Sequence, residues 1–236
     1  MKYQWAAGTH KGRVRNNNED SFAPETSGRS TGPVVLMVAD GMGGAIGGEI
    51  ASQLAVEHAS VGVGSPVERV IRANEAVVER TLSEPGLAGM GTTLTLAEFG
   101  EDGAVKLAHV GDSRAYLLHH QGPFEQLTHD HTVVAEQLAA GHISPADALT
   151  HPQRSMLTRV LGISPDVEVD SITLDSAAGD RLLICSDGLT NMVEDRRVAQ
   201  LLAKGTPEEA VWALIEEANR AGGHDNITVV VVDVEQ

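Results

Sequence analysis

The chain is poor in several things, and each shortage excludes something. A single cysteine, Cys185, stands among 236 residues, so no internal disulfide can staple the fold. Its place in the apolar run from Leu182 to Cys185 assigns it to the core rather than to nucleophilic chemistry. Aromatic residues make up 3% of the sequence, and the two tryptophans and three phenylalanines read as packing residues rather than a stacking platform. No apolar stretch approaches the roughly 18 residues that a membrane helix needs. The opening MKYQWAAGTHKGRVR lacks the apolar segment of a secretion signal, so a cytoplasmic protein without membrane contact is expected. Positive charge is scarce as well: 17 Lys and Arg against 33 Asp and Glu leave a net charge of −16, which opposes non-specific binding to nucleic acid or anionic lipid.

What is present is an ordinary globular composition, with 42% hydrophobic and 21% charged residues. No linker rich in Pro, Ser or Gly and no internal repeat divides the chain, so one domain over 1–236 with a single core is expected, as a monomer. Apolar runs and alternation predict strands over 5–9, 33–39, 92–98, 105–110, 114–118, 167–174, 181–186 and 227–234. GEDG at 100–103 and the stretch 120–123 read as hairpin turns, which makes the middle of the chain an antiparallel meander. Three helices open alike, at Ser65-Pro66-Val67-Glu68, Ser144-Pro145-Ala146-Asp147 and Thr206-Pro207-Glu208-Glu209, each with a hydroxyl cap, a proline and an acid. The first carries the stripe Val67, Val70, Ile71, Val77, Val78 and Leu82. Further helices are predicted over 46–61, 132–140 and 194–204. The result is an α+β chain, antiparallel sheets with helices outside them.

Acids gather where strands end. "VADGMGG" and "LLICSDG" are apolar runs that reach Asp40 and Asp187 and then a glycine, while "GGHDNIT" places Asp225 just before a strand. Glu19 and Asp20 in "NNNED" and Asp112 in "HVGDSR" complete the set. Any one Asp-Gly is commonly a turn. Several carboxylates at neighbouring strand ends repel one another unless a cation neutralises them, and an all-oxygen, sulfur-free set suits Mg²⁺ or Mn²⁺. Asp40 is placed to bridge two ions, and the glycines let the loop bend so that the Gly41 carbonyl can reach one. None of the ten histidines sits in a zinc-ligand spacing, and they read as surface or loop residues, His151 lying in a Pro-flanked loop with at most a minor part over the site.

These motifs resemble a known family. "RVRNNNEDSF", "VADGMGG", "GMGTTLTL", "HVGDSRAYLL", "LTHDHT", "SMLTRVLG", "LLICSDGLT" and "GGHDNITVVVV" occur in the order of the metal-dependent serine/threonine protein phosphatases, the PPM or type 2C family, and look most like its compact bacterial members. The resemblance implies an α/β/β/α sandwich of two antiparallel sheets between helix pairs. It implies that Asp40 bridges two Mn²⁺ or Mg²⁺ ions, that Gly41 with Glu19 and Asp20, the last two through water, completes one side, and that Asp187 and Asp225 hold the other ion. Asp112 with Asp187 matches a third metal site of bacterial members, and Arg15 stands at the phosphate-binding arginine. The segment 132–154 corresponds to the family's variable flap.

The implied activity is hydrolysis of phosphoserine and phosphothreonine in proteins by a metal-activated water, without a covalent enzyme intermediate and with no part for Cys185. A serine/threonine kinase is the implied counterpart. Met42 departs from animal relatives, which carry a histidine there; a thioether cannot donate a proton, so the resemblance assigns no general acid. A phosphatase-like regulatory module that binds a phosphorylated partner without turnover is the alternative, disfavoured because Asp40, Asp187, Asp225 and Arg15 are all retained. A metal-dependent nuclease is disfavoured by the net charge of −16.

Overall fold

The computed structural model describes residues 1–43 and 47–236; Gly44 of the "VADGMGG" motif and the first residue of the helix expected over 46–61 lie outside them. Strands β1 (Lys2–His10), β2 (Asp20–Ala23), β3 (Gly28–Ser30) and β4 (Val34–Met42) lead into helices α1 (Gly47–Ser60) and α2 (Pro66–Ser83). Then come β5 (Gly91–Thr92), β6 (Leu94–Phe99), β7 (Ala104–Val110), β8 (Arg114–Leu118) and β9 (Phe124–Gln126). Helices α3 (Val133–Ala139) and α4 (Pro145–Thr150) precede β10 (Asp170–Asp175) and β11 (Arg181–Cys185). Helices α5 (Asp187–Thr190), α6 (Asp195–Leu202) and α7 (Pro207–Arg220) precede the last strand, β12 (Ile227–Glu235). Among the described residues no helix is long and apolar enough to cross a membrane.

The three expected helix starts form: Ser65, Ser144 and Thr206 each accept from the backbone three residues on, and the acid there reaches back to the cap. The face that α2 buries is narrower than its apolar pattern suggests. Val70, Ala73 and Val77 are buried, while Ile71 and Leu82 are 38% and 78% exposed. Packing on a flat sheet uses about one stripe of a helix, and residues beside that stripe stay in water.

Two six-stranded sheets run β3-β1-β12-β11-β8-β9 and β10-β7-β6-β4-β2, with β5 beside β4. The middle of the chain is therefore no continuous meander. The β6-β7 and β8-β9 hairpins belong to different sheets, and the chain crosses between them at Gly111-Asp112-Ser113. That crossing brings Asp112 to the sheets' common end. The elements missing from the pattern, β2, β3, β9 and α5, are three or four residues long, too short for a period to show.

The buried residues form three layers rather than one core. Val38, Leu36, Leu182, Ile184, Val230 and Val232 meet between the sheets. Val229 and Val231, alternating with them along β12, face α7 through Val211, Leu214 and Ala218. Met37, Ala39 and Leu96 face α1 and α2 on the opposite side. The order is helices, sheet, sheet, helices. Each fully buried valine of β12 contributes about 1.5–3 kcal/mol relative to exposure, which holds the strand ends still.

Candidate metal centre and active site

Asp40 lies near the end of β4, and threonines lock its backbone in place. Its N–H donates to Thr93 Oγ1 at 2.9 Å, and its carbonyl accepts from Thr93 N at 2.9 Å and Thr92 Oγ1 at 2.9 Å. Thr93 Oγ1 also meets Ser113 Oγ at 2.8 Å, so one hydroxyl pair joins the Asp40 strand to the Asp112 crossing. Gly41 is required by close approach: a Cβ there would lie 2.1 Å from the Gly48 carbonyl oxygen and 2.6 Å from that of Glu19.

Asp187 is the first residue of α5 rather than a strand tip, and Asn191 Nδ2 donates to its Oδ2 at 2.9 Å. Gly188 has the same necessity as Gly41, since its Cβ would meet the Asn226 carbonyl oxygen at 1.9 Å. Asp225 accepts from Arg15 Nη2 on Oδ2 at 2.7 Å and from Asn226 N on Oδ1 at 2.8 Å. Asn226 then ties the Arg15 loop to β12. Its Nδ2 donates to the carbonyls of Lys11 at 3.0 Å and Asn17 at 2.9 Å, and its Oδ1 accepts from Glu19 N at 2.8 Å.

Arg15, Glu19, Asp40, Gly41, Asp112, Asp187 and Asp225, distant in sequence, line one cavity of about 1220 Å³. Asp20 does not line it. It is buried on β2, opposite Asp40 in the β2–β4 register, where like charges disfavour each other. Ser186 Oγ and Thr228 Oγ1 donate to its Oδ2 at 2.8 and 2.7 Å, and its Oδ1 is buried without a protein partner. The cavity wall runs past the expected flap boundary, from His151 through Thr158 to Ile163.

Burial raises the carboxyls of Glu19, Asp20, Asp40, Asp112 and Asp187, and neighbouring carboxylates add to it. Asp40 is pushed well above the usual range by burial and then by Asp20, Asp187, Asp112 and Asp225. Asp112 is pushed up to about 8, by burial and then Asp187. Asp20 rises to about 7 by burial, against its two hydroxyl hydrogen bonds. Asp187 rises to about 6 by burial and Asp225, opposed by hydrogen bonds from Asp40 and Asn191. The Glu19 carboxyl is raised by burial, with Arg15 opposing.

These residues fit divalent cations. Without a cation, adjacent buried carboxyls cannot all ionise, and a hard ion would supply the positive charge that this cluster and the unpartnered Asp20 Oδ1 lack. Among the described residues no three His, Cys, Asp or Glu side chains form a ready cage, in keeping with Asp225 being held by Arg15 and Asp187 by Asn191.

Thr93, Asn226, Ser186, Thr228 and Asn191 were not singled out by the sequence; the first four stand in the motifs "GMGTTLTL", "GGHDNIT" and "LLICSDG", the only signal available. Two histidines are buried: His109 on β7, against the expected surface or loop placement, and His131 in the loop before α3. His109 and His131 are 0% and 2% exposed, their rings 4.7 Å apart. His131 Nδ1 accepts from Gly111 N at 3.0 Å, and its Nε2 meets Asp170 Oδ2 at 3.2 Å, which braces the crossing that carries Asp112. Cys185 is buried, with its thiol pushed up to about 12 by burial, as its apolar run implied.

A family model described as Protein phosphatase 2C matches residues 7–209. The chain is 40% identical over 239 residues to the serine/threonine phosphatase stp of Listeria monocytogenes, covering 95% of this chain and 93% of that protein. It is 40% identical over 242 residues to the serine/threonine protein phosphatase PstP of Mycobacterium tuberculosis, covering 98% of this chain but only 45% of that longer protein. The crystal structure of the PstP catalytic domain in complex with two manganese ions superposes with a TM-score of 0.88 at 37% identity, covering 100% of this chain and 99% of that one.

Proposed function

The chain belongs to the protein phosphatase 2C family, and from that membership we propose how its cavity residues divide the work. The protein is a metal-dependent serine/threonine protein phosphatase that hydrolyses phosphoserine and phosphothreonine monoesters with Mn²⁺ or Mg²⁺. The observation that carries the reading is the convergence of Asp40, Asp112, Asp187 and Asp225, from separate segments, on the cavity that Arg15 also enters.

In this proposal Asp40 and Gly41, with Glu19 and Asp20 through water, would hold one ion, Asp40 with Asp187 and Asp225 another, and Asp112 with Asp187 a third. When bound, the ions supply the positive charge that offsets the phosphoryl oxygens and makes a water acidic enough to attack phosphorus. Arg15 receives the phosphate. Its guanidinium side chain is 52% exposed and engages Asp225 through one nitrogen, so it can turn to two phosphoryl oxygens while Asp225 turns inward to a cation. Asp20 acts at one remove, its Oδ2 fixed by Ser186 and Thr228 and its Oδ1 left for water. Thr92 and Thr93 hold the Asp40 backbone so that its carboxyl does not drift as charge changes. Met42 lines the cavity but offers no proton.

We extend the proposal to one catalytic domain over 1–236 with a flap near 132–154, working as a cytoplasmic monomer. A serine/threonine kinase is the opposing enzyme, because that reaction class makes the phosphomonoesters consumed here.

The test is phosphate release from a phosphothreonine peptide with Mn²⁺, with Mg²⁺ and with EDTA, beside Asp187→Asn checked for folding. Turnover that needs metal and vanishes in Asp187→Asn is expected. A folded parent protein that binds the peptide without releasing phosphate under either metal would instead establish a regulatory module.

A further inference from the structure

We propose that an apolar collar of Val14, Met42, Met156 and Ile163 around the cavity reads the residues flanking the phosphorylated one and favours apolar side chains there. The inference rests on the phosphatase reading above. These four side chains are 60%, 39%, 50% and 57% exposed. All four line the same cavity, and they make up four of the twelve large hydrophobic side chains exposed among the described residues. A third of these exposed apolar side chains thus lines the one cavity where a polypeptide substrate must lie.

The collar comes from three stretches of chain: the Arg15 loop, the end of β4, and the 151–163 wall. Two of its members have defined seats. Gln153 Nε2 approaches Met156 Sδ at 3.7 Å, and Ile163 rests over Gly91 of β5, its Cδ1 3.7 Å from where a Cβ would stand. Exposed apolar carbon of this kind gains by being covered, and several such side chains lining one site favour a ligand with apolar carbon of its own. The cavity volume of about 1220 Å³ exceeds the ~300–1000 Å³ usual for small ligands. It therefore accommodates neighbours of the phosphoresidue as well as the phosphate. On an extended peptide those neighbours follow at about 3.3 Å per residue. Two of the four collar residues are methionines, whose flexible thioethers adapt to many shapes, so the preference is for apolar character rather than for one side chain.

The experiment compares two phosphothreonine peptides of equal charge with Mn²⁺, one flanked by Leu and Val, the other by Ser and Gly. 4-Nitrophenyl phosphate, which has no flanking residues, serves as the third substrate, and peptide binding is followed in parallel by fluorescence polarisation. The apolar peptide should show kcat/KM higher by about tenfold. The double variant Met156→Ser with Ile163→Ser should bring the two peptides level while 4-nitrophenyl phosphate turnover stays unchanged. Equal kcat/KM for both peptides on the parent protein, or an undiminished preference in the double variant, overturns the collar. If none of the substrates is turned over, tighter binding of the apolar peptide upholds the collar and sinks the phosphatase reading, whereas equal binding sinks the collar as well.

Discussion

Asp130 and Asp40 are both largely enclosed aspartates near sheet ends, and they keep opposite company. Asp130, in the loop after β9, takes the Arg114 guanidinium on its two oxygens at 2.8 and 2.7 Å. Asp40 is surrounded by Asp20, Asp112, Asp187 and Asp225, all of which oppose its ionisation. The paired carboxylate is consumed by the fold, because each charge cancels the other's burial cost. The unpaired group keeps its demand for positive charge, and that demand is what distinguishes a site from a structural aspartate. Arg15 with Asp225 stands between the two cases, a single contact at 2.7 Å between half-exposed partners that a phosphate can replace.

The comparison is broken most forcefully by neutralising its two centres. Asp40→Asn should lower phosphatase turnover by on the order of 10³-fold, since it removes the proposed bridging ligand. In EDTA the same variant should melt at a higher temperature than the parent, because one of several mutually repelling acids is gone. A lower melting temperature in EDTA would mean that the cluster is not repulsive in the metal-free fold. Asp130→Asn should do the reverse, costing about 3 kcal/mol with or without metal by removing the nearer of the two carboxylates beside the Arg114 charge. Denaturant titration of both variants reads the contrast directly.

A pH series sharpens it. Asp187, Asp20 and Asp112 are raised to about 6, 7 and 8 from the ordinary aspartate value of 3.8. Folded carboxyls that hold protons more tightly than unfolded ones make the metal-free protein most stable at the acid end, and stability falls as pH rises from about 4 to about 8. The fall should reach at least ~1.4 kcal/mol, one unit on one group. Saturating Mn²⁺ should abolish it, so that the stabilisation by metal grows with pH. Thermal melts in EDTA that are flat between pH 5 and 8 would contradict the shifts. The smallest effect on catalysis belongs to Cys185→Ser, which should leave turnover per folded molecule unchanged while costing about 1–2 kcal/mol for a buried hydroxyl. Loss of activity in a folded Cys185→Ser protein would give the thiol a part in the chemistry.

Much of this was legible in the sequence where signals were local. The caps at Ser65, Ser144 and Thr206 and the strand ends at Asp40 and Asp225 depend on neighbours a few residues away, and the structure has them. The meander was misread because a hairpin's turn says nothing about which sheet the next strand joins. The burial of two histidines was missed for a similar reason: His109 and His131 are buried by each other, by Thr95 and by Asp170, partners from distant segments. Asp20 looked equivalent to Glu19 beside it, yet Asp20 opens strand β2 and is buried there, while Glu19, just before the strand, lines the cavity.

What the amino-acid sequence determined by itself is the alternation that builds two sheets, the helix starts, the acidic residue types and the motif order that marks the family. These follow from short-range periodicity and from the chemistry of single side chains. Which carboxylates stay unpaired, which are spent on Arg114 or Arg181, and which apolar side chains remain uncovered around one cavity were decided only by the tertiary structure. Charge and burial depend on what a group's neighbours are in space, and those neighbours come from residues as far apart as Arg15 and Asp225.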